Sequence, residues 1–384
     1  MAERSHAALT APQRRLVFVV TEDWYFCLHW MNVALAAQRA GYRVTVLTRV
    51  VDDGDRIRSA GFELIPIDLR RRSSNPLRAV AGAVMLLRLY RKLRPDIVQH
   101  ITVKPVIFGS LAARLAGVPA VVNTVAGLGY LFSSSDLAAR CVRPLVTLVY
   151  RLALAPRRHF LVVQNHDDLA FFMRHAGAAK ARARVIPGVG VDIVRFSPVP
   201  EPEGIPQVLM PARLLRDKGI FEFVAAARLL RQRGVSAIFS VAGDLDPENP
   251  ASVSEQQLKA WKDEGIVNFL GWQSDMAPLL RAAHIVALPS YREGLPTALT
   301  EAAACGRPVV TCDVPGCREV VTHGENGLLV KPRDPEALAD AIARLASDVA
   351  LRHRMGLRGR ERAERGFAIE RVAATTLALY SELF

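Results

Sequence analysis

The sequence predicts an α/β protein made of two doubly wound parallel-sheet units facing a cleft. Short apolar runs rich in Val, Ile and Leu alternate with longer stretches of helical periodicity, the pattern of parallel strands joined by helical crossovers. A proline-rich stretch without that periodicity divides the alternation into two blocks of similar size. The 384 residues suit two domains of about 100 to 200 residues each, and 51% hydrophobic residues supply two cores.

The first block, 14–187, is predicted to carry strands at 16–20, 44–47, 63–67, 97–100, 120–123 and 160–163. Helices are predicted at 28–40, stopped by Gly41, and at 77–93, ending before Pro95. Residues 188–206 read as a semi-rigid connector. The second block, 207–365, is predicted to have strands at 207–210, 237–242, 267–269, 285–288, 309–311 and 327–330. Its helices are predicted at 219–233, 255–264, 276–283, 296–305 and 335–346. The end of the chain is helix-rich, and 366–384 is expected to pack back toward the first block. Open α/β sheets bind ligands beyond the carboxyl ends of their strands, so the crevice between the units is the expected site.

Composition excludes disorder and fibrous classes. The net charge of +13 averages two unlike halves: residues 1–187 hold 27 basic against 12 acidic residues, net +15, and residues 188–384 hold 23 against 25, net −2. Five cysteines without a CxxC pair read as reduced thiols, not as a disulfide framework or zinc site. The longest stretch free of formal charge, 115–135, is broken by Pro119, Asn123 and three glycines, so no spanning helix is expected. The start of the chain lacks a signal-peptide core, and the reading is a cytoplasmic protein. No GxGxxG follows the first strand and no GxxxxGK[ST] occurs, so dinucleotide and P-loop readings lack their phosphate loops.

The most specific chemical signal is SYREGLPTALTEAAACGRPVV, 290–310. It sets Glu293 in a strand-to-helix loop, Gly294 and Pro296 at a helix start, Glu301 within the helix and Gly306 as its stop. A helix start behind a strand presents backbone N–H groups and a positive dipole end to a diphosphate. Carboxylates beside such a site suit sugar and ribose hydroxyls; the bland alternative is a helix with a capping Glu and an outward Glu. The second signal is PARLLRDKG, 211–219, which puts Arg213 and Lys218 at the same sheet edge, where two cations can neutralise a leaving diphosphate. Asp244 and Asp246 form an Asp-x-Asp that invites a metal, but the two cations already supply the charge.

Glu293 and Glu301 in an EGLP context, with RLLRDKG upstream, resemble the retaining glycosyltransferases of family four, whose GT-B fold is two Rossmann-like domains around a cleft. TEDWYFCLHWMNVALAAQRAGYRVTVLT, PDIVQHITVKPVIFGSLAARLAG and NTVAGLGYLF are similar to the acceptor domain of the branch that extends sugars on polyprenyl diphosphate. The resemblance covers nearly the whole chain. It implies that Arg213 and Lys218 bind the donor diphosphate, Glu301 the ribose hydroxyls and Glu293 the transferred sugar. Gly294, Leu295 and Thr297 would add backbone contacts, and Gly188, Val189 and Asp192 match the connector that faces the cleft. It further implies a nucleotide-sugar donor, UDP-linked, and an undecaprenyl-diphosphate-linked acceptor; no metal cofactor is expected, since Arg213 and Lys218 supply the charge, and no nucleic-acid partner, since no recognised nucleic-acid module appears.

Two departures accompany it. The Gly-Gly turn of many relatives after the first strand is replaced by Thr21, Glu22, Asp23 and Trp24. The usual histidine slot after the fourth strand holds Gln99, and the next residue, His100, is the preferred cleft histidine, with a structural strand-end role as its alternative. His29, Lys104, Gly127 and Gly129 are the other acceptor-side candidates.

The basic half has two arginine groups. Arg70, Arg71 and Arg72 precede a helix bearing Arg78, Arg88, Arg91, Lys92 and Arg94, while Arg140, Arg143, Arg151, Arg157 and Arg158 bracket the apolar run 144–150. Such a surface suits peripheral docking on the inner face of the plasma membrane, against a plain solvated basic face. Nucleic acid fits less well, since the clusters lack interleaved aromatics. Rival functions are a GT-B nucleotide-sugar 2-epimerase and a non-enzymatic basic adaptor.

Overall fold

The structure, a computed structural model, describes residues 13–69, 76–127, 137–156 and 158–384. Arg70, Arg71, Arg72, Gly129 and Arg157 lie outside these residues. Two all-parallel sheets are present. The first comprises β1 (Arg15–Glu22), β2 (Arg43–Arg49), β3 (Glu63–Pro66), β4 (Ile97–Ile101), β5 (Ala120–Val125), β6 (His159–Val163) and β7 (Ala183–Val185) in the order β3-β2-β1-β4-β5-β6-β7. The second comprises β8 (Gln207–Pro211), β9 (Ile238–Ala242), β10 (Val267–Phe269), β11 (Ile285–Leu288), β12 (Val309–Cys312) and β13 (Gly327–Val330) in the order β10-β9-β8-β11-β12-β13. The predicted fold class is therefore found.

The central strands read as continuous apolar runs because helices cover both faces of each sheet: Leu16, Val17, Phe18, Val19 and Val20 are all buried, as are Ile285 through Leu288. Strand order reverses between β1 and β4 in one sheet and between β8 and β11 in the other. Such a reversal of strand order is where open α/β sheets leave a crevice beyond the carboxyl ends of their strands.

The structure differs from the predicted elements at several places, among them helix His166–His175, for which no helix is predicted. The helix expected over 28–40 is two helices, Asp23–His29 and Met31–Arg39, parted by Trp30, which leaves helical geometry and buries its ring against Phe18. The first begins early because the buried Asp23 carboxylate accepts the backbone N–H groups of Val51, Asp52 and Asp53, tying the end of β1 to the loop after β2. β7 was not predicted, since three residues are too short to show a period. The apolar run near 144–150 is part of an 18-residue helix, Leu137–Leu154, with Pro144 inside it.

The final helix, Ile369–Glu382, joins the first sheet's core through Val372, Leu379 and Tyr380, and the Tyr380 hydroxyl donates to Gln99 Oε1. The connector is laced to it: Val191 N–H donates to Phe367 O and Ile369 N–H to Val191 O. Among the described residues four cysteines are buried and unpaired, and no helix is long and apolar enough to cross a membrane.

Candidate functional site

β8 and β11 are neighbours at the second sheet's reversal, so the loops that follow them meet. Asp217 O accepts the Tyr291 N–H, and Gly219, at φ +76°, passes so close to Pro289 that a Cβ would stand 2.1 Å from its carbonyl oxygen. This stitching brings Lys218 Nζ to 2.6 Å from Glu293 Oε1, with both side chains largely buried. On the far side Glu293 N–H donates to Pro315 O, and Gly316 backs onto the Glu293 and Gly294 carbonyls. Helix Thr297–Ala304 starts immediately behind, with Pro296 at its N-cap and no side-chain cap on its first N–H groups. A cation, a carboxylate and an uncapped helix N-terminus therefore converge at one sheet edge, an arrangement that accepts an anion and hydroxyls together.

Arg213, one loop away, is held at 2.5 Å by Asp246. Asp244 Oδ1 caps the Leu245 N–H, and no cluster of three metal-ligating side chains occurs among the described residues. Glu301 sits deeper along the helix, where burial pushes its pKa up to about 7, Arg195 pulling against that and Asp275 adding to it. Leu295 packs on the connector at Gly188, where a Cβ would stand 2.7 Å from Leu295 Cδ2.

The first unit closes over this loop. Gly127, at φ +109°, lies against Gly294; a Cβ on Gly294 would stand 2.4 Å from Ala126 O and 2.7 Å from Gln164 Oε1. Asn165 Nδ2 donates to Gly294 O at 2.8 Å.

Residues 195–362 match the family described as "Glycosyl transferases group 1" and residues 15–165 the family "Glycosyl transferase 4-like". The chain is 32% identical over 310 residues, covering 77% of itself and 80% of the relative, to the N,N'-diacetylbacillosaminyl-diphospho-undecaprenol alpha-1,3-N-acetylgalactosaminyltransferase of Campylobacter jejuni. The chain is a family-four glycosyltransferase.

A second relative of the transferase, the Escherichia coli UDP-Gal:alpha-D-GlcNAc-diphosphoundecaprenol alpha-1,3-galactosyltransferase, is 26% identical over 73% of the chain and 74% of its own length. Among solved structures, the sucrose-phosphate synthase of Thermosynechococcus elongatus superposes with a TM-score of 0.81 at 23% identity, covering 97% of this chain and 99% of its own. Anabaena HepE in complex with UDP and glucose gives 0.76 at 20%, covering 95% and 99%. Both likenesses establish the GT-B fold.

His100 is not a cleft residue in the transferase. It is wholly buried, its Nδ1 donates to Asn123 Oδ1 and its Nε2 accepts from the Tyr90 hydroxyl, both at 2.9 Å. Gly109 lies against the ring, where a Cβ would stand 2.3 Å from Nε2. Burial lowers its pKa to about 3, so it is neutral. Strand alternation sends its side chain into the layer beneath the sheet, and both ring nitrogens are consumed there. The structural alternative is the one the fold adopts.

Of the remaining acceptor-side candidates, the described ones, His29, Lys104 and Gly127, lie at the carboxyl end of the first sheet. His29 closes helix Asp23–His29 with its ring 4.5 Å from that of Tyr25, and burial lowers its pKa to about 4. Lys104 follows β4, half-buried, with its pKa lowered by desolvation. Between β4 and Lys104, Thr102 adopts φ +74° with its hydroxyl buried and unpartnered, a strained position for a β-branched residue. Thr102, Asn165, Asp168 and Arg292 are not among the residues that the sequence motifs single out. For Asn165 and Asp168 a signal existed: an Asn three residues before an acid at a helix start is a capping pattern.

Proposed function

We propose that the transferase moves a sugar from a UDP-sugar to a hydroxyl of a polyprenyl-diphosphate-linked saccharide, with retention of configuration and without a metal. The observation that carries this is the convergence of Lys218, Glu293 and the uncapped N-terminus of helix Thr297–Ala304 at the strand reversal. A diphosphate displaces Glu293 from Lys218, and Arg213 adds a second cation once it leaves Asp246. Glu293, released, accepts hydroxyls of the sugar, and Glu301 accepts those of the ribose. In the transfer step the bond from the anomeric carbon to the β-phosphate oxygen breaks as the acceptor oxygen bonds to that carbon on the same face. The acceptor's proton passes to the departing phosphate oxygen, so no protein base is required. Developing charge on the diphosphate is met by Lys218, Arg213 and the helix N–H groups.

The acceptor's lipid argues for peripheral docking on the cytoplasmic face of an anionic membrane. Helix Leu137–Leu154 leaves Leu145, Leu148 and Leu152 at 62%, 51% and 60% exposure, and nearby Leu111 and Leu115 are also exposed. A groove of 440 Å³ beside it is lined by Arg143, Leu148, Arg151, Phe171 and His175. Apolar side chains framed by arginines suit the headgroup boundary.

The test is incubation with a panel of UDP-sugars and a membrane lipid extract, with and without EDTA. A lipid-linked glycoside in both conditions supports the reading. Turnover of the UDP-sugar without acceptor would favour a 2-epimerase, and no product with any donor would sink the lipid-linked form of the proposal.

A further inference from the structure

Helix His166–His175 begins at the boundary between the units with a closed polar network. Asn165 and Asp168 are both wholly buried. Asn165 Oδ1 accepts the Asp168 N–H at 2.7 Å, and its Nδ2 spends one hydrogen on Asp168 Oδ2 at 3.0 Å and the other on Gly294 O at 2.8 Å. The second Asp168 oxygen, Oδ1, accepts from Arg292 Nη2. The Arg292 side chain is 23% exposed, its Nε is buried without a partner, and the next residue in the chain is Glu293. Around the buried pair, Arg318 bonds Asp167 and His166 bonds Glu319, both exposed contacts worth little by themselves.

Arg292 and Gly294 flank Glu293 on either side, and the first unit grips both. A charge with no exposure held against a guanidinium is costly to break and tolerates one geometry. We propose that Asp168 and Asn165 are positioning residues for the transfer reaction: acting on Arg292 and the Gly294 carbonyl, they set where Glu293 stands and couple its placement to closure of the acceptor-binding unit over the donor loop. Neither touches the reacting atoms. The role rests on the reading of Glu293 as the residue that contacts the transferred sugar.

The arrangement separates binding from turnover. UDP is gripped by the second unit's own groups, so loss of the clasp leaves UDP binding nearly intact, while misplacing Glu293 lowers the rate of transfer. The experiment compares Asp168→Asn, Asn165→Ala, Arg292→Gln and Arg292→Lys with the wild type, and takes Arg184→Gln, which removes an exposed pair with Glu382, as control. Three quantities are measured: UDP affinity by calorimetry, kcat and KM for transfer from a UDP-sugar panel to a membrane lipid extract, and the radius of gyration by X-ray scattering.

The expected result is a kcat lowered by about 30-fold or more in Arg292→Gln and Asp168→Asn, with UDP affinity within about threefold of the wild type. Arg292→Lys, which keeps a cation for Asp168, recovers most of the rate, and the double variant Asp168→Asn with Arg292→Gln is no worse than the poorer single one. The ligand-free radius of gyration rises in Arg292→Gln and not in the control. Should Asp168→Asn fail to fold, Arg292→Gln decides, with kcat taken per folded molecule because the variant leaves the buried Asp168 without its cation. A wild-type kcat and an unchanged radius of gyration in Arg292→Gln overturn the proposal. A wild-type rate in Glu293→Gln instead sinks the underlying reading of Glu293, and the clasp's part in placing it.

Discussion

Lys218 Nζ lies 2.6 Å from Glu293 Oε1, and the two residues arrive from loops behind neighbouring strands, β8 and β11. Under the proposed function, the cation assigned to the diphosphate is neutralised, without donor, by the carboxylate assigned to the sugar. Donor binding must therefore exchange one anion for another. Glu293→Gln removes the competitor, so UDP should bind more tightly, by about two- to tenfold, while transfer falls by about 100-fold or more. Lys218→Ala should weaken UDP by about tenfold or more. Calorimetry with UDP and initial rates distinguish the two; weaker UDP binding in Glu293→Gln would contradict the exchange.

The Arg213–Asp246 pair makes the same point about metals. Asp246 holds a guanidinium at 2.5 Å, so the Asp-x-Asp of the sequence is engaged in an ion pair. Asp246→Asn frees Arg213 and is expected to tighten UDP, most clearly at low salt. Transfer in EDTA should stay within about twofold of the untreated rate, whereas a metal-dependent site loses nearly all of it.

His100 should matter to folding and not to chemistry. Its removal orphans the Tyr90 hydroxyl and opens a cavity against Gly109. His100→Ala is expected to cost about 2 to 4 kcal/mol of stability in denaturant unfolding. Its kcat per folded molecule should remain within about threefold of the wild type. A collapse of kcat with unchanged stability would return His100 to the site.

Glu301 carries a pH signature. Burial raises its pKa from 4.5 to about 7 in the folded protein. Because the folded value lies above the unfolded one, the stability tied to the neutral carboxyl is fully present below pH about 4.5 and is lost as pH rises through about 7. Glu301→Gln should remove that part of the decline, so its melting temperature falls less than the wild type's between pH about 5 and 8. Ribose hydroxyls donating to the carboxylate favour its charged form, so UDP binding should release a proton near neutral pH. Calorimetry in buffers of different ionisation enthalpy reads that proton, and its absence would place the ribose elsewhere.

Membrane docking makes a separable prediction. Leu145→Glu with Leu148→Glu should reduce sedimentation with vesicles of anionic lipid while UDP affinity holds. Reversing Arg70, Arg71 and Arg72 to Glu should act in the same direction, by loss of attraction of about 1 kcal/mol per charge. Unchanged vesicle binding in both would leave the basic half as a solvated face.

The alternation of apolar strands with helical stretches, the connector and the EGLP and RLLRDKG segments were legible in the sequence, because periodicity and local backbone chemistry are properties of neighbours along the chain. They sufficed to determine two parallel sheets, to put Arg213, Lys218 and Glu293 on loops behind strands and to put Glu301 in the helix that follows. Where a side chain ends up is decided by what lies across from it. Whether His100 pointed into the cleft or beneath the sheet depended on Tyr90 and Asn123, reached through two different elements. The clasp of Asn165 and Asp168 onto Arg292 and Gly294 joins residues more than 120 positions apart, and no local pattern announces such a pair. Local sequence determined the elements and the loops that carry charge; only tertiary packing, which sets burial and completes hydrogen bonds across distant segments, decided which of those residues share a site.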